Sequence, residues 1–138
     1  MKARANELSE PVAQLVLGKN LAFVATLMKD GSPQITPTWV DLYGNKIVIN
    51  TAIGRVKQKN LSRDPRIALA IADHNNPYHM VTIRGTVAEL TTEGAEEHVD
   101  KLAKKYLGVD KYPFRSRAEK RIIIRVTPDK IFYQPPNR

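Results

Sequence analysis

One basic segment, residues 51–61, combines residue types that could hold a phosphate. Thr51 ends an apolar stretch, Gly54 follows in a predicted turn, and Arg55 and Lys57 lie at the start of a polar, helix-compatible run. Free N–H groups and the positive end of a helix dipole favour an anion at such a position. Arginine can bind a phosphate through two parallel hydrogen bonds, and lysine adds a point charge. The segment predicts a phosphate pocket, although a solvated basic helix explains the same residues equally well.

A second segment, residues 34–40, interrupts an alternating strand pattern with small polar side chains. Thr36, Pro37 and Thr38 stand where a regular strand would continue, and proline cannot donate a hydrogen bond to a neighbouring strand. A planar ligand could lie against such a backbone and bond to it along one edge. An edge strand with a bulge explains the pattern without a ligand, and these residues alone favour it. Trp39, the single tryptophan, is typical of a core or interface position.

A third group of basic residues lies between positions 101 and 121 and alternates with aromatic residues. Such a mixture can bind single-stranded nucleic acid or the acidic tail of a small molecule, whereas a solvated helix face and loop would account for most of it. The basic members are Lys101, Lys104, Lys105, Lys111, Arg115, Arg117, Lys120 and Arg121, and the aromatic ones are Tyr106, Tyr112 and Phe114.

The three histidines do not have the spacing of metal ligands, so we predict no metal site. They are His74, His79 and His98. No nucleophile motif is found either, and no catalytic side chain can be assigned.

Composition limits the class of protein. The chain has 138 residues, a net charge of +8 and no cysteine, so disulfides, thiolate zinc sites and a cysteine nucleophile are excluded. A surplus of positive charge attracts anions such as nucleic acid, anionic membranes or phosphorylated small molecules. No apolar run approaches the roughly 20 residues of a membrane span, and the N-terminus lacks an apolar signal segment. We expect one domain over residues 1–138, in the cytoplasm.

The elements that must position these residues are mostly strands. Apolar or alternating patterns predict strands over 21–28, 34–42, 47–51, 66–72, 78–90 and 121–126, with 131–133 extending the last strand after a Pro128-Asp129 turn. Helices are predicted from a Ser9 cap to Gly18, over 54–63 and over 92–106. Short turns join successive strands, so the sheet should be antiparallel. The pattern indicates a mainly β fold of six or seven strands with two or three flanking helices, arranged as a small closed or split barrel.

The order of these motifs along the chain resembles the pyridoxamine 5′-phosphate oxidase-like split-barrel family. Asp30-Gly31-x-Pro33 precedes the Thr-Pro-Thr-Trp segment, and the run from Arg55 to Arg66, with Lys59-Asn60-Leu61 and Asp64-Pro65, carries the most specific part of the resemblance. More narrowly, the chain is similar to small deazaflavin-dependent oxidoreductases of this family. The resemblance covers nearly the whole chain.

The resemblance implies a homodimer with a cofactor in a groove between its subunits. Its implied cofactor-binding residues are Gln34, Ile35, Thr36, Pro37 and Thr38 against the ring system, and Thr51, Arg55, Val56, Lys57 and Lys59 around the phosphate. Trp39 and Tyr133 are candidates for closing the pocket from the partner subunit.

Coenzyme F420 is the expected cofactor and FMN the alternative. F420, a deazaflavin, carries an oligoglutamate tail that would suit the basic residues between 101 and 121. The implied reaction is hydride transfer between the reduced cofactor and an unsaturated or quinone-like small molecule. A flavin carrier without turnover and a nucleic-acid-binding barrel are the remaining interpretations.

Overall fold

The computed structural model describes residues 8–137, which form seven strands and three helices. The helices are α1 (Glu10–Leu17), α2 (Val56–Arg63) and α3 (Ala95–Leu107). The strands are β1 (Ala22–Leu27), β2 (Pro33–Thr38), β3 (Asp41–Tyr43), β4 (Lys46–Ala52), β5 (Arg66–Asp73), β6 (Asn76–Thr91) and β7 (Arg121–Gln134). The predicted mainly β architecture with flanking helices is confirmed.

All seven strands belong to one antiparallel sheet in the order β2-β1-β5-β6-β7-β4-β3. The consecutive strands β2 and β3 therefore form its two edges, as in a split barrel. The inner face encloses an aliphatic core that includes Val24, Ile49, Leu69 and Ile124. Because α3 covers part of the outer face, β4 is buried on both sides from Ile47 to Ala52.

The predicted strand over 34–42 is wrong, because the chain is divided there into two strands on opposite edges of the sheet. Pairing with β1 ends at Thr38, and β3 begins at Asp41. Between them Val40 is fully buried. Its N–H donates to the hydroxyl of Tyr106 at 3.1 Å, and its carbonyl accepts from Nζ of Lys105 at 2.7 Å. Side chains from α3 thus replace the hydrogen bonds that a continuing strand would have made.

Two other predicted boundaries are wrong for local reasons. The helix predicted over 92–106 starts at Ala95, since Gly94 has a positive φ of 74° and the N–H of Ala95 bonds to the carbonyl of Thr92 in a turn. The turn predicted at Pro128-Asp129 is an irregularity inside β7, which continues to Gln134. The predicted end of α1 at Gly18 is confirmed, but the side chain of Ser9 makes no capping hydrogen bond.

Gly85 lies at the irregularity between β6 and β7, where the two backbones approach closely. A Cβ at this position would lie 2.6 Å from the carbonyl oxygen of Thr127 and 2.7 Å from Cγ1 of Val126. We expect Gly85→Ala to lower the free energy of unfolding by about 1–3 kcal/mol, because a backbone oxygen cannot rotate away from the new methyl group. Urea denaturation measures this change. Thr82→Ala, on the exposed face of the same strand, is the control, and equal effects of the two substitutions would refute the clash.

Lys105 on α3 introduces a pH dependence of stability. Burial lowers its pKa to about 8, opposed by the nearby Asp41 carboxylate and assisted by Lys101. The unfolded chain, with a lysine pKa near 10.5, binds more protons than the folded chain across this interval, so this residue makes stability rise with pH from about 8 to 10. Lys105→Met should flatten that rise in urea denaturation profiles. Lys104→Met is the control, and unaltered slopes in Lys105→Met would contradict the assignment.

Candidate functional site

The start of α2 presents an open, positively polarised helix end. Gly54 has a positive φ of 98°, and Arg55 occupies the N-cap position without a side-chain cap. The amide oxygen of Gln58 accepts from the N–H of Gly54 at 2.8 Å, so it fixes the turn without capping the helix. The first N–H groups of a helix have no partner inside it. The segment thus forms the turn and helix start that the sequence predicted.

Three cations converge beside this helix end. Burial lowers the pKa of Lys57, and the positive charges of Arg55 and Arg121 lower it further. Glu119 partly balances the two arginines, accepting from Arg55 at 2.6 Å and from Arg121 at 2.7 Å. It makes no such bond with Lys57. An anion beside Lys57 would relieve the repulsion that lowers its pKa.

Arg55, Lys57 and Arg121 line a cleft of about 260 Å³ between the end of β2, the end of β4, α3 and the start of β7. Its aromatic side is built by Trp39, which stacks on Tyr106 at 5.3 Å between ring centroids, and by Tyr112, which contacts Trp39 edge-on at 6.0 Å. Its lining residues are Leu21, Pro37, Thr38, Trp39, Asn50, Thr51, Arg55, Lys57, Val99, Leu102, Tyr112, Phe114 and Arg121. The arrangement offers a cationic end and an aromatic side to one ligand.

Half of the residues predicted around the cofactor meet in this cleft: Pro37, Thr38, Thr51, Arg55 and Lys57. Thr51 is buried, and no hydrogen-bond partner for its Oγ1 is found among residues 8–137. Buried hydroxyls rarely remain unbonded, so this oxygen is available to a ligand.

The other half lies outside the cleft: Gln34, Ile35, Thr36, Val56 and Lys59. Thr36 and Gln34 point into the barrel, where Oγ1 of Thr36 also lacks a partner within the described residues and Gln34 accepts from Thr26 at 3.5 Å. Ile35 lies on the outer face of the sheet, and Val56 and Lys59 are exposed on α2.

Asn50, Tyr112 and Arg121 belong to the cleft although the sequence did not indicate them as cofactor ligands. Arg121 comes next to the end of β4 because it pairs with Ala52 in the β4–β7 ladder. Its guanidinium also lies 5.1 Å from the ring centroid of Tyr112. The available signal was the mixture of basic and aromatic residues between 101 and 121, which suggested a ligand tail rather than the phosphate end. Trp39, considered for the partner subunit's side, lines the cleft of its own chain.

Most of the basic residues between 101 and 121 are already paired. Lys101 contacts Asp41 at 3.0 Å, Lys104 contacts Asp110 at 3.3 Å, and Arg115 bonds to Glu96 and Asp100. These pairs reduce the free positive charge that an acidic tail or a nucleic acid would meet.

Within residues 8–137 no cluster of three or more potential metal ligands occurs. None of the helices described there has the length and hydropathy needed to cross a bilayer.

Comparison with known proteins identifies the family. Among solved structures, a protein described as an F420 reductase is 27% identical with a TM-score of 0.81, over 92% of this chain and 100% of its own. A conserved hypothetical protein from Mycobacterium tuberculosis is 23% identical with a TM-score of 0.71, over 98% and 90% of the two chains. HupZ from Group A Streptococcus is 26% identical with a TM-score of 0.67, over 91% and 93%. The family model for pyridoxamine 5′-phosphate oxidase matches residues 8–135. The chain therefore belongs to the pyridoxamine 5′-phosphate oxidase family, whose fold binds flavins or deazaflavins.

Proposed function

We propose that the chain binds coenzyme F420 in the cleft and is an oxidoreductase for an unsaturated or quinone-like small molecule. The observation that carries the proposal is the group of three cations at the open start of α2, of which Lys57 lacks an acidic partner among the described residues. Family membership supports a flavin-type cofactor, and similarity to the F420 reductase supports a deazaflavin.

The residues present fit the phosphate of such a cofactor. Lys57 and Arg121 can donate from two sides, Thr51 can contribute its unbonded hydroxyl, and the free N–H groups of α2 add backbone donors. Gly54 leaves open space beside this point, since a Cβ there would meet nothing within 4 Å. These features together form a binding site for a phosphate ester or diester.

The ring system would lie along Pro37 and Thr38, at the end of the edge strand β2. One side of β2 pairs with β1, and its other side has no neighbouring strand in the described sheet. Backbone groups on that side can hydrogen-bond to the polar edge of a planar ring, while Trp39 and Tyr112 supply apolar area.

When bound, the cofactor would supply or accept the hydride, which is the difficult chemistry of the reaction. The role of the side chains is to hold the ring at a fixed depth and to exclude water. No side chain of the cleft is assigned as a general acid or base.

FMN is the alternative cofactor, and one observation favours it. The expectation of F420 rested partly on basic residues that would bind an oligoglutamate tail, and Lys101, Lys104 and Arg115 are already paired with acidic residues. FMN has no such tail. The similarity to the F420 reductase keeps F420 ahead.

A homodimer would complete the site. The cleft of about 260 Å³ lies just below the usual range of roughly 300–1,000 Å³ for small-molecule sites. Proteins of this fold commonly dimerise. The outer sheet face offers apolar side chains for this purpose, since Phe23, Ile35 and Phe132 are 46%, 62% and 53% exposed. Phe23 and Ile35 lie on the adjacent strands β1 and β2, and Phe132 lies on β7 in the register row that runs from Phe23 through Ala70 and Thr82.

We therefore expect Phe23→Glu to shift the protein from dimer to monomer and to weaken cofactor binding along with dimerisation. Placing a charge in an apolar interface is unfavourable unless the charge is paired. Sedimentation velocity with and without cofactor measures both effects. Val109→Glu, in the loop after α3, is the control, and a wild-type monomer that binds cofactor normally would refute the dimer.

Titration of the stripped protein with F420 and FMN side by side tests the cofactor. Tighter binding of F420, monitored by fluorescence, supports the proposal and leads to a screen of quinone and enone acceptors. Tighter binding of FMN would make FMN, not F420, the assigned cofactor. If neither binds, the proposed function fails.

A further inference from the structure

A chain of hydrogen-bonded polar side chains connects Asp41 on β3, through His98 and Asn50, with Arg121 at the cationic end of the cleft. His98 contacts Asp41 through Nε2 at 3.0 Å and the amide nitrogen of Asn50 through Nδ1 at 3.2 Å. The amide oxygen of Asn50 accepts from Nε of Arg121 at 2.8 Å, and its nitrogen also donates to the carbonyl of Ala95 at 2.9 Å. Asp41, Asn50 and Arg121 are all buried.

The direction of each hydrogen bond fixes the tautomer of His98. Burial raises the pKa of Asp41, but hydrogen bonds from His98, Lys101 and the N–H of Leu42 outweigh it and hold that pKa well below its ordinary range. Asp41 is thus an acceptor, and Nε2 of His98 carries the proton. Because an amide nitrogen can only donate, Nδ1 of His98 accepts from Asn50. The imidazole of His98 therefore donates to Asp41 and accepts from Asn50, and these two partners cannot exchange their roles.

The hydrogen bonds of His98 and Ala95 with Asn50 decide which amide atom of Asn50 lies next to Arg121. With its nitrogen bonded to His98 and Ala95, the amide cannot flip, so its oxygen stays toward Nε of Arg121. Glu119 accepts from Nη1 of Arg121 at 2.7 Å. No partner of Nη2 is found among residues 8–137, and the side chain lines the cleft.

We propose that His98 is a positioning residue for the phosphate site: it fixes the amide of Asn50, which in turn aims the guanidinium of Arg121 at the bound anion. The inference rests on the proposed function, because it assigns the anion to the cleft. It adds a residue of α3 that lies outside the cleft lining and reaches the cleft only through its hydrogen bond with Asn50. Its effect is specific to the phosphate and should not extend to the ring system.

Two substitutions of His98 separate its two hydrogen bonds. Asn carries its amide at the position of Nδ1, so His98→Asn can still accept from Asn50 but loses the bond to Asp41. Gln carries its amide at the position of Nε2, so His98→Gln can still donate to Asp41 but loses the bond to Asn50. Each variant loses one hydrogen bond, and urea denaturation verifies that both fold.

Binding is measured for F420 and FMN and for the phosphate-free core of each cofactor. The core of F420 is the deazaflavin chromophore with its ribityl chain, and the core of FMN is riboflavin. We expect His98→Gln to raise the Kd of the phosphate-bearing cofactor by up to about tenfold, as for one lost hydrogen bond. Binding of the core should be unchanged, and His98→Asn should stay close to wild type. The Nε–H signal of Arg121 in NMR spectra should shift in His98→Gln and be retained in His98→Asn.

Three results would overturn the inference: equal losses in the two variants, equal losses for cofactor and core, or an unaltered Arg121 signal in His98→Gln. The proposed function fails separately. If the wild-type protein binds core and cofactor equally, the cleft does not hold the phosphate at all. If Arg55→Ala with Lys57→Ala removes the preference for the cofactor and His98→Gln does not, only the role of His98 is refuted.

Discussion

Replacing Arg55 and Lys57 together by alanine should weaken cofactor binding by about 3–6 kcal/mol, because each charge-assisted hydrogen bond contributes about 1.5–3 kcal/mol. That corresponds to a loss of at least about a hundredfold in affinity. Both side chains line the cleft. Burial, together with the charges of Arg55 and Arg121, lowers the pKa of Lys57, and an anion beside it would oppose this shift. Fluorescence titration with F420 and FMN measures the effect, and urea denaturation verifies that the variant is folded.

Lys59→Ala is the matched control for this experiment. Lys59 lies on the same helix and carries the same charge as Lys57, but it is exposed and does not line the cleft. We expect its removal to change the affinity by no more than about threefold, as is typical of a screened surface charge. Unchanged affinity in the double variant would remove the phosphate assignment. An equal loss in Lys59→Ala would mean that general positive charge, not the cleft, attracts the cofactor.

Tyr106→Phe should cause the largest loss of stability among the substitutions considered. The hydroxyl accepts from the N–H of Val40 at 3.1 Å and donates to the carbonyl of Asn20 at 2.6 Å, both in buried surroundings. Phenylalanine keeps the ring that stacks on Trp39 but leaves two buried backbone groups unbonded. At about 1–3 kcal/mol for each group, we expect a loss of about 2–6 kcal/mol.

Such a loss is a large part of the roughly 5–15 kcal/mol that holds a domain of this size together. Urea denaturation with an unchanged m-value would establish it as a change of stability. Tyr78→Phe removes the same hydroxyl from a side chain that is 67% exposed, and it should be neutral. If both variants were equally stable, the connection between β2 and β3 would not depend on this bond.

Most of the fold could be predicted because its signals are local. The Asp30-Gly31 turn, the Asp64-Pro65 end of α2 and the alternation of the strands each act within a few residues, and the structure contains all of them. The division of residues 34–42 could not be predicted in this way. It depends on the hydroxyl of Tyr106 and on Nζ of Lys105, which are more than sixty residues away in sequence.

The same distinction between local signals and long-range contacts applies to the candidate site. Thr51, Arg55 and Lys57 are neighbours in sequence, so their spacing indicated a phosphate. Asn50 and Arg121 acquire their roles only through the β4–β7 pairing and the packing of α3. The basic residues between 101 and 121 suggested a binding surface because a sequence does not show which charges find partners.

The carboxylate of Glu119 would compete with a bound phosphate for two arginines of the cleft. Its two oxygens hold Arg55 and Arg121 at 2.6 and 2.7 Å, the two arginines that an incoming phosphate would also use. A phosphate must therefore displace this carboxylate or share the guanidinium groups with it. We therefore expect Glu119 to lower the phosphate affinity below what the cations of the cleft would provide without it. We expect such a site to release its ligand more readily than one without Glu119, because this carboxylate can bond again to both arginines when the phosphate leaves.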